Sequence, residues 1–284
     1  MRSAAGTRLP RLALWLAPML LGCGSLAAAA ETAAQPADPA AQAPEAADPP
    51  PPADATEPDK WKFATIGYLW AAGAHGETDV IGPAEPVGLD LSFGDVLDAF
   101  KFAFMGAAEA RHGRVVILGD LTFIHLGVKK GIDIREQDFA DAKLDSLTSE
   151  VTLVGGYRVA DQGPVFVDLM AGGRLNWFKT TLELEGPNRS AEGEVKETWI
   201  DPLIAARVVA PLGGKWSSTV YGDVGGIVAG SDITWQIFGT VNYRIKPKMQ
   251  LGAGWRAFKV HYDEGVFLYD VAQNGPVFVF RTEF

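Results

Sequence analysis

Between Trp61 and Phe284 apolar and polar residues alternate with a period of two, in stretches of ten or more residues broken by polar turns. Leu147 to Val159 is the clearest case. Val151, Leu153, Gly155, Tyr157 and Val159 share one face, while Glu150, Thr152, Gly156 and Arg158 share the other. A strand with one lipid face and one interior face requires this pattern, and a helical period does not produce it. The same reading predicts strands at 61–72, 101–111, 114–127, 147–159, 165–180, 196–210, 216–230, 233–245, 249–262 and 276–284. The fold class expected is all-β, an antiparallel transmembrane β-barrel of ten strands, with eight as the alternative.

The connections alternate in length. Arg111 to Arg114, Ala160 to Gly163, Pro211 to Gly214 and Lys246 to Lys248 are tight, whereas 73–100, 128–146, 181–195 and 263–275 are long. Outer-membrane barrels have short periplasmic turns and long external loops, so the tight set is assigned to the periplasm. Gly230-Ser231-Asp232 is a short external exception. Ten strands keep both ends of the domain on one side. Val87 to Phe93 is therefore left in the first loop, with Gly94 to Asp98 as a helical turn.

Aromatic residues sit at strand ends, as interface girdles require. Trp61, Tyr157, Trp216, Tyr243 and Phe284 are assigned to the periplasmic interface, and Trp70, Trp177, Trp199 and Trp235 to the outer one. Phe278, Phe280 and Phe284 share one face of the last strand, which resembles the C-terminal signal recognised by barrel-assembly machinery. That machinery, periplasmic chaperones and outer-membrane lipid are the expected partners.

Upstream, the pattern changes. Arg2, Arg8 and Arg11 precede an apolar run, Leu12 to Leu21, and then Ala27 to Ala30. Residues 1–30 have the layout of an export signal, with cleavage expected after Ala30. The alternative is acylation at Cys23, because Leu20-Leu21-Gly22-Cys23 has the shape of a lipobox. The segment 31–60 is expected to be a disordered periplasmic leader, since positions 31–59 hold ten Ala, eight Pro and seven acids without an aromatic residue. Domain organisation is thus signal, leader and a barrel over 61–284. The formal charge of -10 argues against a nucleic-acid partner. No apolar run beyond the signal approaches the roughly 20 residues a membrane helix needs.

Four strings, GDVLDAFKFAFMGAAEARHGR, WIDPLIAARV, YGDVGGIVAGSDITWQ and LGAGWRAFKVHYDEG, together resemble a widespread, uncharacterised group of small proteobacterial outer-membrane β-barrel proteins. Where such relatives read GYR and DY, this chain has Gly254-Trp255-Arg256 and His261-Tyr262. The resemblance covers 61–284. It implies a barrel and an outer-membrane address, and no agreed activity.

Asp201, Leu203, Ala205 and Arg207 face one way, and Ile200, Ile204, Ala206 and Val208 the other. Pro202, lacking an amide proton, is expected at a bulge or an imperfect ladder bond. Collecting inward positions gives the acids Glu109, Asp120, Glu150, Asp168, Asp201, Asp223 and Glu283. The bases are Lys101, Arg111, Arg158, Arg174, Arg207, Arg244, Arg256 and Arg281. In so narrow a barrel side chains fill the interior, so these charges are expected to pair and leave the lumen narrow or occluded.

Enzymatic chemistry has little to stand on. His75, His125 and His261 fall near outer strand ends beside acids, but a general base needs a positioned partner and a substrate groove. His125 has no serine and acid around it in the pattern of a lipid A hydrolase. No metal-ligand spacing, phosphate loop or nucleophile elbow is present, so no catalytic, cofactor or metal residue is assigned. A soluble lipocalin-like barrel would alternate too, with charge outside. The function expected is a non-enzymatic barrel, structural or a small diffusion channel. An enzyme active at the rim and an adhesin-like surface protein are the alternatives.

Overall fold

The computed structural model describes residues 60–78, 87–131, 141–160, 163–185, 190–265 and 267–284. All lie in the unit Pro50–Phe284. The export signal and most of the Ala/Pro leader lie outside the described residues.

Ten antiparallel strands close on themselves: β1 (Lys62–Trp70), β4 (Phe100–His112), β5 (Val115–Gly131), β6 (Asp141–Ala160), β7 (Phe166–Glu185), β8 (Ser190–Gly213), β9 (Trp216–Gly226), β10 (Ile233–Lys246), β11 (Met249–Glu264) and β12 (Phe267–Glu283). Each pairs with its neighbour in sequence, and β1 closes the ring against β12 from Ala64↔Glu283 to Trp70↔Val277. Closure gives every strand two partners within the barrel and removes the free edges that hydrocarbon would not tolerate.

Two further strands stand outside the ring. After Trp70 the chain continues into β2 (Gly73–Thr78), which takes over beside the upper part of β12, and β3 (Val87–Leu91) folds back on β2. The segment assigned to loop at Val87 is therefore a strand. It adds nothing to the count of the closed barrel, so the ten-strand parity stands. The helical turn is α1 (Phe93–Asp98). Its capping box is complete. Ser92 N and Oγ donate to Asp95 Oδ2 at 2.8 and 2.6 Å, and Asp95 N donates to Ser92 Oγ at 3.2 Å. The Ser92 hydroxyl, then its amide, hold the Asp95 carboxyl below the usual range. Its contribution to the turn is present at neutral pH and lost as pH falls through that lowered value.

Three connections assigned as long loops are mostly ladder. Pairing runs on to Gly131↔Asp141, Glu185↔Ser190 and Glu264↔Phe267. The strands outrun the membrane, because above it both faces can be polar and the backbone still gains by pairing. On β7 the outward side chains are apolar from Val167 to Trp177 and then turn to Lys179 and Glu183. Those eleven positions, at ~3.3 Å each and ~40° tilt, span on the order of 25 Å, the height of a lipid-facing band. Above the band, outward charges pair laterally, Lys143 with Glu183 at 2.8 Å and Lys179 with Glu194 at 2.9 Å. At the other end the turns are tight. Gly113 and Gly214 take φ of 55°, where a side chain would be strained.

The band itself is apolar and outward. Leu69, Phe104, Leu153, Leu169, Ile200, Ile204, Ile237, Trp255 and Phe278 are all exposed, while their chain neighbours of opposite parity are buried or partly so. This is the inside-out distribution of a membrane-spanning barrel and the reverse of a lipocalin-like one. Trp61, Tyr157, Trp216 and Tyr243 are exposed at the tight-turn end, with Trp216 against Tyr243 at 4.9 Å. Trp70 and Trp199 correct the girdle assignment. Both are buried, on the inward faces of β1 and β8, because they share parity with Tyr68 and Asp201.

Ile204 gives a direct test of the band. It is 64% exposed, so in a water-soluble barrel Ile204→Arg would cost about 0.5 kcal/mol or less. Facing hydrocarbon, the substitution is expected to lower the unfolding free energy by about 2–4 kcal/mol, read by denaturant titration in lipid vesicles.

Candidate functional site

The inward faces meet in the lumen, where their buried side chains fall into three levels. Nearest the tight turns, one line of cross-strand neighbours sets the pattern. Asp168 on β7 stands opposite Arg158 on β6 and Arg207 on β8. Arg158 Nε donates to Asp168 Oδ1 at 2.8 Å, and Arg207 Nε and Nη2 donate to Oδ2 at 3.0 and 2.8 Å. Arg207 Nη1 then crosses the barrel to Glu109 Oε2 on β4 at 2.5 Å. Arg281 on β12 donates to both oxygens of Glu109 at 3.2 and 3.3 Å and to Glu283. Three guanidinium groups thus meet three carboxylates, and Asp168 is completely buried. Such groups are stable away from water only when paired and hydrogen-bonded on most of their polar atoms.

The middle level is built on Arg174. Its Nη2 donates to both oxygens of Asp223 at 3.0 and 2.8 Å, its Nη1 to Thr234 at 3.0 Å and its Nε to Thr152 at 3.1 Å. Gln236 Nε2 adds a bond to Asp223 at 2.5 Å. Beside it Arg256 donates to the Tyr68 hydroxyl at 2.9 Å and stacks on Trp70 at 4.6 Å, with Asp120 at 3.9 Å. Tyr68 bonds Asp120 in turn, at 3.0 Å. Glu150 is buried on the same level.

The outer level is aromatic. Trp70, Phe178, Trp199, Phe258, Tyr262, Phe267 and Tyr269 form one buried cluster, with Trp199 stacked on Tyr262 at 4.2 Å. This layer was missed from sequence, although each member lies two, or a multiple of two, residues from an inward residue on its own strand. Arg174 links the levels by stacking under Phe258 at 5.0 Å.

Asp201 has a separate task. It stands opposite Arg174 in the ladder yet is not its partner. Its carboxylate accepts from Ser231 N at 2.6 Å, Ser231 Oγ at 3.1 Å and Asn176 Nδ2 at 2.7 Å, and Trp199 Nε1 donates to Ser231 Oγ at 2.8 Å. These bonds fold the β9–β10 connection against β8, where pairing with β9 stops at Leu203↔Gly225. Pro202 sits at that break, on the edge where no β9 residue needs its missing amide. A side chain at Gly230 would strike Asp201 Oδ1 and the Ile200 carbonyl at 2.4 Å, so only glycine permits the approach.

Of the fifteen residues predicted to form the lumen charge network, the structure brings eleven acids and bases into these clusters, counting Asp120 and Glu150. Asp201 joins through neutral donors. Arg111 and Arg244 lie half-buried on inward rows at the tight-turn end, where Arg244 follows Thr240 and Asn242. Lys101 is a correction. The register shifts between Phe100 and Phe102, and this bulge turns Lys101 outward across Gly127 to pair with Asp145 on the outer wall. Phe278, Phe280 and Phe284 are exposed on the outward face.

The three outer histidines have different partners. His75 pairs with Asp90 at 2.7 Å, His125 with Asp145 at 2.9 Å, and His261 lies 3.5 Å from Asp270 and 3.6 Å from Asp232. Among the described residues no group of three or more His, Cys, Asp or Glu is arranged to hold a metal ion.

Arg207→Ala is expected to cost about 3–5 kcal/mol, since it strips Asp168 and Glu109 of a shared cation. Arg244→Ala, at the mouth, is expected to cost much less. Parallel denaturant titrations of the two variants check the difference.

No family model and no curated protein matches the chain. Among solved structures it is similar to the outer membrane protease OmpT of Escherichia coli, with a TM-score of 0.43 and 10% identity over 79% of this chain and 97% of that one. It is also similar to Ail, the attachment invasion locus protein of Yersinia pestis, at 0.32 and 11% over 80% and 99%. Neisserial surface protein A follows at 0.27 and 13%, over 80% and 100%. The chain's own strand pairing establishes the closed ten-stranded antiparallel barrel.

Proposed function

We propose that this protein is a non-enzymatic outer-membrane barrel whose lumen is closed, serving as a structural element of the membrane and a carrier of its raised outer wall. The observation that carries the reading is the packing of side chains inside the barrel. An aromatic layer sits over a paired charge network, so a solute entering from outside meets packed rings before any charge. The export signal, the apolar band and the outward C-terminal phenylalanines support the outer-membrane address. Assembly by the barrel machinery, with periplasmic chaperones on the way, follows from that address.

The alternative small diffusion channel differs in one measurable respect. In planar bilayers the purified wild type is expected to give no steady unitary conductance. Replacing Trp199 and Tyr262 together by alanine removes the stacked pair and is expected to produce conducting events. A steady conductance from the wild type would replace the closed reading by the channel. The three histidines stand against different aspartates, His75 against Asp90, His125 against Asp145 and His261 between Asp232 and Asp270, which favours the non-enzymatic reading. Retained hydrolysis of a surface substrate by wild type, lost on His75→Ala or His261→Ala, would contradict it.

A further inference from the structure

A hollow interrupts the outward face of the apolar band. Its volume is about 710 Å³, within the ~300–1,000 Å³ of pockets that bury a small ligand. It arises from an alternation of sizes along the wall. Gly67 on β1 stands across from Phe280 on β12, and Ala253 on β11 across from Phe278. Each ring thus has beside it a residue too small to fill the space. A side chain built at Gly67 would meet nothing within 4 Å. Leu69 and Phe104, both exposed, bound the hollow on the side of β4.

The hollow has a direction. Gly67, Phe280, Leu251 and Trp216, which all line it, belong to one outward row of cross-strand neighbours that passes through Tyr243 between the last two. Trp216 opens β9 at the tight-turn end, whereas Gly67 lies well inside β1. The four steps of the row, at ~4.8 Å each across strands tilted ~40°, climb roughly 12 Å, about half the height of the apolar band. The groove therefore runs from the membrane interface to the midplane. That is the reach of a single lipid leaflet, and the medium beside it is hydrocarbon.

Positive charge gathers at its interface end. Lys215 precedes Trp216 and holds its ammonium 6.0 Å from the centre of the Tyr243 ring. Arg244 N donates to the Lys215 carbonyl, which brings the turn before β9 beside the turn after β10. That second turn carries Lys246 and Lys248. All three lysines are exposed, and none makes an ion pair among the described residues. In a chain of formal charge -10, three such cations at the head of an apolar groove favour an anionic headgroup, at the depth where Trp and Tyr meet headgroups.

We propose that this groove is a binding site for one anionic phospholipid of the periplasm-facing leaflet. An acyl chain lies over Gly67 and Ala253 beside the rings of Phe278 and Phe280, and the phosphate sits against Lys215, Lys246 and Lys248. The choice of leaflet rests on the outer-membrane address proposed above. The groove and its lysines do not depend on whether the lumen conducts, so conductance by the wild type would leave the site standing.

The test is native mass spectrometry of the barrel released from mild-detergent micelles holding equal amounts of phosphatidylglycerol and phosphatidylcholine with the same chains. The wild type is expected to keep one lipid per chain and to favour phosphatidylglycerol by about fivefold or more. Gly67→Leu fills the groove without a clash and is expected to lose the lipid. Gly155→Leu, on the outward face of β6 with the same free space, is expected to keep it. Replacing Lys215, Lys246 and Lys248 together by serine is expected to abolish the preference between headgroups. Equal retention by the two leucine variants, or no headgroup preference in the wild type, would overturn the site. Should Gly67→Leu fail to fold, the serine variant decides, because a preference that survives loss of the lysines contradicts the proposal.

Discussion

In hydrocarbon a backbone amide or carbonyl has no water to turn to, and a charged side chain has no favourable outward direction. Everything in this barrel follows from that constraint. Closure of β1 on β12 completes the ladder, so the wall has no edge within the membrane. Strand pleating then sends every second side chain inward, and the acids and bases of ten strands converge in a space barely wider than their own side chains. They are compelled to pair. Asp168 between Arg158 and Arg207 shows the economy of the arrangement, because register alone places a cation on each side of one carboxylate.

The same constraint relaxes above the membrane, and the structure changes character there. β5 to β8 continue as paired strands beyond the apolar band, but their outward positions carry Lys143, Lys179, Glu183 and Glu194 in lateral ion pairs. Inside, at the same end, charge gives way to rings. Trp199 on Tyr262, with Phe178, Phe267 and Tyr269, forms one packed cluster inside the lumen at that end. On the β9–β10 side, where the wall is low, Asp201 draws Ser231 inward and keeps the short connection in place. Two of the sequence strings that carried the family resemblance, WIDPLIAARV and YGDVGGIVAGSDITWQ, meet at this contact.

Much of this was legible in the sequence, and the exceptions have physical reasons. Where one face meets lipid and the other the lumen, as from Leu147 to Val159, period two fixes both the strand and the direction of each side chain. The pattern fades where both faces are wet, so 128–146, 181–195 and 263–275 read as loops although the backbones of their described residues pair. Lys101 was assigned inward by parity, and one bulge reversed it. Sequence carries no mark of a bulge unless a glycine or proline announces it. Trp70 and Trp199 were misplaced for a different reason. A tryptophan near a strand end reads as a girdle residue, and that association outweighed a parity that placed each beside an inward neighbour. Parity along each strand names the inward acids and bases, but who pairs with whom depends on register across strands far apart in sequence.

The central claim is that this lumen is sealed from both lipid and water. It is tested most directly by methyl NMR of the barrel in lipid nanodiscs with two paramagnetic agents, one dissolved in water and one in the bilayer. The account predicts that the lipid-soluble agent broadens Leu153, Leu169 and Ile204, while Val154, Met170 and Leu203 are untouched by either agent. Broadening of the second set by the water-soluble agent would mean an open, hydrated pore, and broadening by the lipid-soluble agent would mean that the faces are reversed.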